Sequence, residues 1–279
     1  MAKKTFIRNS VIYHDYYSRL KAIALSVFKW EGLPETCSAR FLEKTLFEYG
    51  RAIFVDDPEY SYLTVKATPS SVLNHYNEPI AYHAFSTGYS RDFSADECVY
   101  IRNNYLEKST DSTIMIFAEK LAEIDLSAMI NIKAQKTPVL IRCDEKSRTS
   151  LENIYLAYDG NAHVIYGSKS LQDKPIEVLR TDAPFVADKL REEKRNVWNE
   201  ALEFLGLNTN PSDKKKERLI VNEVDANNEQ IDIQAETMLL TRLEACEQIN
   251  KLYGLDVSVK RRVHSEKGDE PSWLDLQLN

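Results

Sequence analysis

The sequence predicts an α+β chain, mainly helical, with small β-rich modules. Three observations carry that prediction. Glycine is scarce, 8 in 279 residues, against the higher share of a loop-rich all-β protein. Long stretches repeat apolar side chains at spacings of three and four, the period of a helix face. Between them lie short runs rich in Val, Ile, Tyr and Phe, bounded by turn residues. A hydrophobic share of 43% with 28% charged supplies a sizeable core at this length.

Residues 10–30 read as an amphipathic helix with Tyr16, Leu20, Ile23, Val27 and Trp30 on one face, stopped by Gly32 and Pro34. A second helix follows Ser38, a good N-cap, and ends at Gly50, with Phe41, Leu42, Thr45, Leu46 and Tyr49 inward. The period then changes. Residues 51–56 and 60–66 look like strands around the Asp57-Pro58 turn, and further short strands fit 80–85 and 98–102. Residues 111–135 form the clearest helix, with Ile114, Phe117, Leu121, Ile124, Ala128 and Ile132 in one stripe and a length of roughly 37 Å. It ends before Thr137-Pro138, where the pre-proline restriction applies. Strands are expected at 138–142, 164–166 and 176–179, with a short helix after Ser150. Another long helix opens at Thr181-Asp182-Ala183-Pro184, with Val186, Leu190, Val197, Ala201 and Phe204 as its stripe and Gly206 as its end. Two long helices thus bracket a small β-rich module. Residues 208–234 hold Lys214, Lys215, Lys216, Arg218, Glu223, Asp225, Glu229 and Asp232 with few large apolar side chains, and read as a mobile loop. A final helix over 235–253 is closed by Gly254, and 255–262 is a last strand.

The formal net charge is −7. Tight DNA binders carry a basic face, because affinity comes mainly from phosphate neutralisation, so a repressor-like or histone-like role is disfavoured. A protein that DNA slides past is not. Cys37, Cys98, Cys143 and Cys246 are widely spaced and read as reduced, mostly buried thiols. No secretory leader opens the chain, and no apolar run reaches the length of a membrane span.

Catalytic signatures are missing. There is no GxxxxGKS/T for ATP, no GxGxxG, no GxSxG and no HExxH, and His14, His75, His83, His163 and His264 lie far apart. Asp144-Glu145-Lys146 and Asp56-Asp57-Pro58 read as turns rather than metal sites. The chain is read as a non-enzyme that needs no cofactor and no metal.

The basic features have two readings each. Lys214, Lys215, Lys216 and Arg218 form a compact positive cluster, either a solvated charge run or a phosphate contact. The helix after Pro184 carries Asp188, Lys189, Arg191, Glu192, Glu193, Lys194 and Arg195. Lys189–Glu193 and Glu192–Arg195 are spaced to attract. A solvated face and a face on a water-filled channel explain this pattern equally. Tyr13, Tyr16, Tyr17, Phe28 and Trp30 cluster on the first helix and suit a subunit interface.

Several stretches together carry a resemblance. Phe28-Lys-Trp-Glu-Gly-Leu-Pro34, Phe41-Leu-Glu-Lys44, Ala134-Gln-Lys-Thr-Pro-Val-Leu-Ile-Arg142, Gly160-Asn-Ala162, Thr181-Asp-Ala-Pro184, Asp188-Lys-Leu190, Val197-Trp-Asn-Glu200, Phe204-Leu-Gly206, Lys215-Lys-Glu-Arg218, Asn228-Glu-Gln-Ile231 and Glu244-Ala-Cys-Glu247 through Leu252-Tyr-Gly-Leu255 stand in one order. In that order they resemble the upper collar (connector, or portal) proteins of phi twenty-nine type, Picovirinae-like short-tailed phages, over residues 10–262. The resemblance implies a homododecameric ring at one capsid vertex. It implies a wing from residues 1–110 and 235–279, stem helices at 111–136 and 184–206, a clip at 137–183 and a channel loop at 207–234. It places the channel's basic residues at Arg180, Lys189, Lys215 and Lys216, beside Lys214 and Arg218, with Arg180 standing where the family has lysine. The implied partners are further copies of the chain, double-stranded DNA without sequence specificity, the major capsid and scaffolding proteins, the packaging ATPase and the lower collar or tail, and no membrane. Relatives that bind a packaging RNA carry a basic amino-terminal arm. Lys3, Lys4 and Arg8 are all that corresponds here, a departure that sets RNA binding in question.

A cyclic ring needs two different, mutually complementary faces per subunit, which long helices with more than one apolar side provide. About twelve copies at −7 each carry roughly −80 in total. A mostly acidic bore repels phosphate, and a few basic rings give shallow attraction without a brake. Another phage collar or adaptor ring, and a helical scaffold protein without DNA, remain the alternatives.

Overall fold

The computed structural model describes residues 2–135, 139–142, 164–167, 176–178, 184–207 and 221–262, with side chains for 10–135, 184–207 and 236–262. Its helices are α1 (Ala2–Ser26), α2 (Ala39–Tyr49), α3 (Asp111–Ala134), α4 (Ala187–Phe204) and α5 (Val221–Tyr253). The strands are β1 (Phe28–Glu31), β2 (Arg51–Asp57), β3 (Ser61–Pro69), β4 (Ala81–Ser86), β5 (Tyr89–Ser94), β6 (Cys98–Arg102), β7 (Val139–Arg142), β8 (Val164–Gly167), β9 (Ile176–Val178) and β10 (Ser258–Arg261). The fold is α+β, as expected. The chain divides into two compact units: Met1–His14 with Glu119–Trp198, and Asp15–Ala118 with Asn199–Asn279.

The second unit holds a five-stranded antiparallel sheet in the order β5-β4-β3-β2-β6. Ile53, Val55, Val65, Ala67, Tyr82, Ala84, Phe93 and Cys98 form a buried cluster on it. Strand β2 sits inside the sheet with Ala52 to Val55 all buried, which is why its sequence is a continuous apolar run rather than an alternation. Helix α2 packs against β2 and β3, and α5 against β6 and β10. Phe54 of β2 meets the rings of Tyr62 and Tyr253, with centroids 5.7 and 5.4 Å away.

Helix α2 forms where its caps place it. Ser38 accepts a hydrogen bond from the backbone N–H of Phe41 at 3.2 Å. Gly50 takes the left-handed conformation (φ 77°) and its N–H reaches the Leu46 carbonyl at 2.9 Å. A side chain at Gly50 would also collide with the Glu107 carbonyl. The inner face differs from the expected one, since Glu43 is buried and Tyr49 is 46% exposed.

Four further differences have physical reasons. The first helix stops at Ser26, and Phe28–Glu31 is a strand antiparallel to Ser258–Arg261, with Trp30 opposite Val259. Phe28 and Trp30 are buried and Lys29 between them is exposed, a period-2 pattern hidden because Val27 and Trp30 also fit helical spacing. Strand β5 went unpredicted, since its inward Phe93 is flanked by polar residues. Helix α4 starts at Ala187, three residues beyond Pro184, because Asn131 of α3 holds the entering backbone: its Oδ1 accepts from Val186 N–H at 3.0 Å and its Nδ2 donates to the Pro184 carbonyl at 2.8 Å. The last helix starts at Val221, so residues 221–234 are helical where a loop was expected. That stretch contains no glycine or proline to break a helix, and its polarity alone suggested a loop.

In the first unit, β7, β8 and β9 form a three-stranded sheet in the order β8-β7-β9, with β7 parallel to β8 and antiparallel to β9. It lies between α3 and α4 in sequence, the β-rich module the sequence predicts. The short helix expected after Ser150 lies outside the described residues.

Candidate functional site on the paired long helices

Helices α3 and α4 run antiparallel. In the second unit Phe117 and Phe204 pack with ring centroids 6.1 Å apart. In the first, Lys194 Nζ donates to both Asp125 oxygens at 2.8 and 3.0 Å, and Asn131 caps the approach to α4. Within the first unit, contact residues rise in number along α3 as they fall along α4, the register of a helical hairpin. At its far end α4 closes on Gly206 (φ 74°) with the Gly206 N–H on the Glu203 carbonyl and the Leu207 N–H on the Leu202 carbonyl, a Schellman motif.

The apolar stripe of α3 outlasts its cover. Ile114, Phe117 and Leu121 are buried, Ile124 and Ala128 are half-buried, and Ile132 is 51% exposed. The sequence therefore builds an apolar face longer than this chain packs against among the described residues.

The opposite surface of α4 is charged. Asp188, Lys189, Arg191, Glu192, Glu193 and Arg195 are exposed, and neither the Lys189–Glu193 nor the Glu192–Arg195 pair expected from spacing closes to ion-pair distance. Of the residues expected to meet DNA, Lys189 stands on this face. Arg180, Lys214, Lys215, Lys216 and Arg218 lie outside the described residues, as do the side chains of Lys3, Lys4 and Arg8 at the start of α1.

Sequence reading missed Asn131, Asp125 and Lys194 as the residues that align the pair. The signal was there in Asn131, a polar residue inside an apolar helix. It also missed the buried hub of the second unit. Arg242 of α5 uses all five of its N–H donors: Nε and Nη2 on the two Glu43 oxygens at 2.9 Å each, Nη2 on Asn103 Oδ1 at 3.0 Å, and Nη1 on the Asn103 and Met238 carbonyls at 3.1 and 2.8 Å. The Trp30 indole donates to Glu43 at 2.7 Å, and the guanidinium lies 4.1 Å from the Phe28 ring centroid. The hub ties α2, α5, β1 and the turn after β6 together.

Reactive chemistry is poorly served elsewhere. Burial pushes the Cys37 thiol up to about 11 and those of Cys98 and Cys246 up to about 12, far from nucleophilic thiolates. His83 Nδ1 lies 2.6 Å from Asp92, with Ser90 Oγ 3.4 Å from Nε2, but the Asp92 side chain is 83% exposed and the trio spans a cross-strand pair on open sheet. Among the described residues no group of three His, Cys, Asp or Glu side chains is placed to hold a metal ion, and no helix is long and apolar enough to cross a membrane. The arrangement offers surfaces for packing and for polar contact.

Solved structures similar to this chain include these three. One is a chain from the portal and tail of native bacteriophage P68, 18% identical, covering 99% of this chain and 94% of that one with a TM-score of 0.51. Another is an HK97-family phage portal protein from Corynebacterium diphtheriae, 8% identical, covering 100% and 97% with a TM-score of 0.45. The third is from the virion of a native gene transfer agent particle, 10% identical, covering 89% and 80% with a TM-score of 0.44. The model of the family described as Phage Connector (GP10) matches residues 2–265. With nearly the whole chain matched, and its long helix pair and β-rich module in place, the chain belongs to the Phage Connector (GP10) family of phage portal, or head–tail connector, proteins.

Proposed function

We propose that copies of this chain close into a ring at one vertex of a short-tailed phage capsid, of the phi twenty-nine type, through which double-stranded DNA is packaged, retained and ejected. The observation that carries the reading is the apolar stripe of α3 that outlasts its cover among the described residues, while α4 presents charge. A neighbouring copy covers the first, and water in a channel suits the part of the second that carries Asp188, Lys189 and Glu192. In this reading α3 and α4 are the stem, residues 137–183 the clip that meets the packaging ATPase and later the tail, and residues 1–110 with the end of α5 the wing toward the capsid. Arg180, Lys189, Lys214, Lys215, Lys216 and Arg218 face the DNA. Contact is weak and indifferent to sequence, because phosphate is the only feature all DNA shares. A separate ATPase supplies the force.

Electron microscopy of the purified protein, paired with native mass spectrometry, tests the ring. The expected result is a closed annulus with an opening wide enough for duplex DNA. A stable monomer at high concentration, or an assembly without an opening, refutes it.

A further inference from the structure

We infer that the helix pair carries a charge-matched contact between copies: Glu119 and Glu123 on α3 form one edge, Arg191 and Arg195 on α4 the other, and the acidic edge of each subunit seats against the arginine edge of the next. The inference rests on the ring reading above and names how the ring closes. Each doublet is spaced i,i+4, so its two side chains share a helix face. All four residues are exposed, and none makes an ion pair among the described residues. With about 100° per residue, the acidic doublet points away from the α3 face that carries Asp125 and Asn131. The arginine doublet likewise turns away from the face of α4 that carries Lys194 and Val186. The acidic doublet is therefore the outer edge of α3 and the arginine doublet a flank of α4, about 60° short of its outermost side, both within the first unit.

The levels match as well. Asp125 lies beside Lys194, and Asn131 beside Val186. That register puts Glu123 at the height of Arg195. Cyclic symmetry rotates a subunit about the ring axis without shifting it along the axis. With the hairpin lying along the ring axis, as a stem would, the same register holds between α3 of one copy and α4 of the next. Arginine suits this place, since its fork grips a carboxylate with two donors.

Asp188 and Glu192 lie about 60° further round α4 from the arginines. Seated against Glu119 and Glu123 they would repel. The acidic edge thus selects the arginine flank and turns the α4 acids toward water, which fixes the rotation of the stem as well as its neighbour.

The experiment uses two variants of the full chain, Glu119→Arg/Glu123→Arg and Arg191→Glu/Arg195→Glu, with wild type alongside and circular dichroism to confirm unchanged helix content. Each variant alone sets like charges against one another at every contact, so its ring peak in native mass spectrometry is expected to vanish. Mixed one to one, the variants offer opposite charges at every contact and are expected to form rings containing equal numbers of each. Wild type that forms no ring defeats the functional reading itself. Wild-type rings with both variants assembling alone defeat the edge contact and leave the ring intact. Variants that fail alone and also fail when mixed defeat it too, since direct pairing requires rescue. Rings that form normally but no longer enter capsids would assign the edges to a capsid protein instead of a second copy.

Discussion

At the scale of single residues, the strongest constraint is the buried charge at Glu43. It is 5% exposed and Arg242 2%, so each ion is stripped of water and depends on the other for compensation. Removing one partner strands the second, a loss of about 3–5 kcal/mol. Arg242→Met is therefore expected to lower unfolding free energy by that amount in urea titration. Pairing it with Glu43→Leu should lose less than the single change, because no unpaired charge remains. A double variant worse than the sum would show that the hub's neutral partners, Asn103 and Trp30, matter more than the ion pair. Asp57 gives a pH-dependent counterpart. Burial works to raise its carboxyl. The hydrogen bond from Tyr89, the backbone N–H groups of Glu59 and Tyr60, and the Arg91 charge outweigh that and hold it below the usual carboxylate range. A depressed folded-state value contributes stability above the unfolded pKa of about 3.9 and loses it as pH falls further. Unfolding midpoints measured from neutral pH down past that value should fall for wild type and fall less steeply for Asp57→Asn. Equal slopes would remove Asp57 from the acid response.

At the scale of elements, caps and breakers decide where each segment ends. Gly50 combines a positive φ with a carbonyl where a Cβ would go, so Gly50→Ala is expected to lower stability by on the order of 2 kcal/mol, read as a shift of the thermal midpoint. A change within error would mean the turn relaxes freely. The same local signals explain what was legible. Ser38 and Gly50 bracket α2, because those residues act on their own backbone and need no distant partner. Boundaries set by distant partners stayed hidden. Phe28 to Glu31 becomes a strand only because Ser258 to Arg261 lies beside it, more than two hundred residues later in the chain. The entry to α4 is set by Asn131 on another helix. Residues 221–234 misled for a third reason: polarity by itself does not separate a helix from a loop. Of the candidate site, the two helices and their apolar stripes were readable from period alone. The aligning contacts of Asp125, Asn131 and Lys194 were not, since one polar residue in a helix carries no address for its partner.

At the scale of the whole molecule, the proposed function turns on a balance between repulsion and grip. In the proposed ring, a subunit at −7 repeated around a bore would repel a phosphate backbone, and that repulsion would keep transit fast. It also works against holding DNA once packaging pressure builds. In that reading retention falls to a few cations, and Lys214, Lys215 and Lys216 are the longest run of adjacent lysines in the sequence. They lie away from the α3 and α4 edges in sequence, so removing them leaves the proposed copy-to-copy contacts untouched. Each lysine that neutralises a phosphate releases a counterion and adds affinity that weakens with salt. In a ring the loss is multiplied by the number of subunits. Lys215→Ala/Lys216→Ala is therefore expected to assemble normally and begin packaging at the usual rate. It should then shed DNA late in filling, with a release rate less sensitive to ionic strength than that of wild type. Lys215→Arg/Lys216→Arg should retain DNA, since charge rather than donor geometry is what a sliding backbone meets. Single-particle packaging with the motor stalled near a full head measures both. Double-alanine rings that hold full-length genomes as long as wild type would move the grip elsewhere, to Lys189 or Arg180, and the same comparison on those positions would locate it.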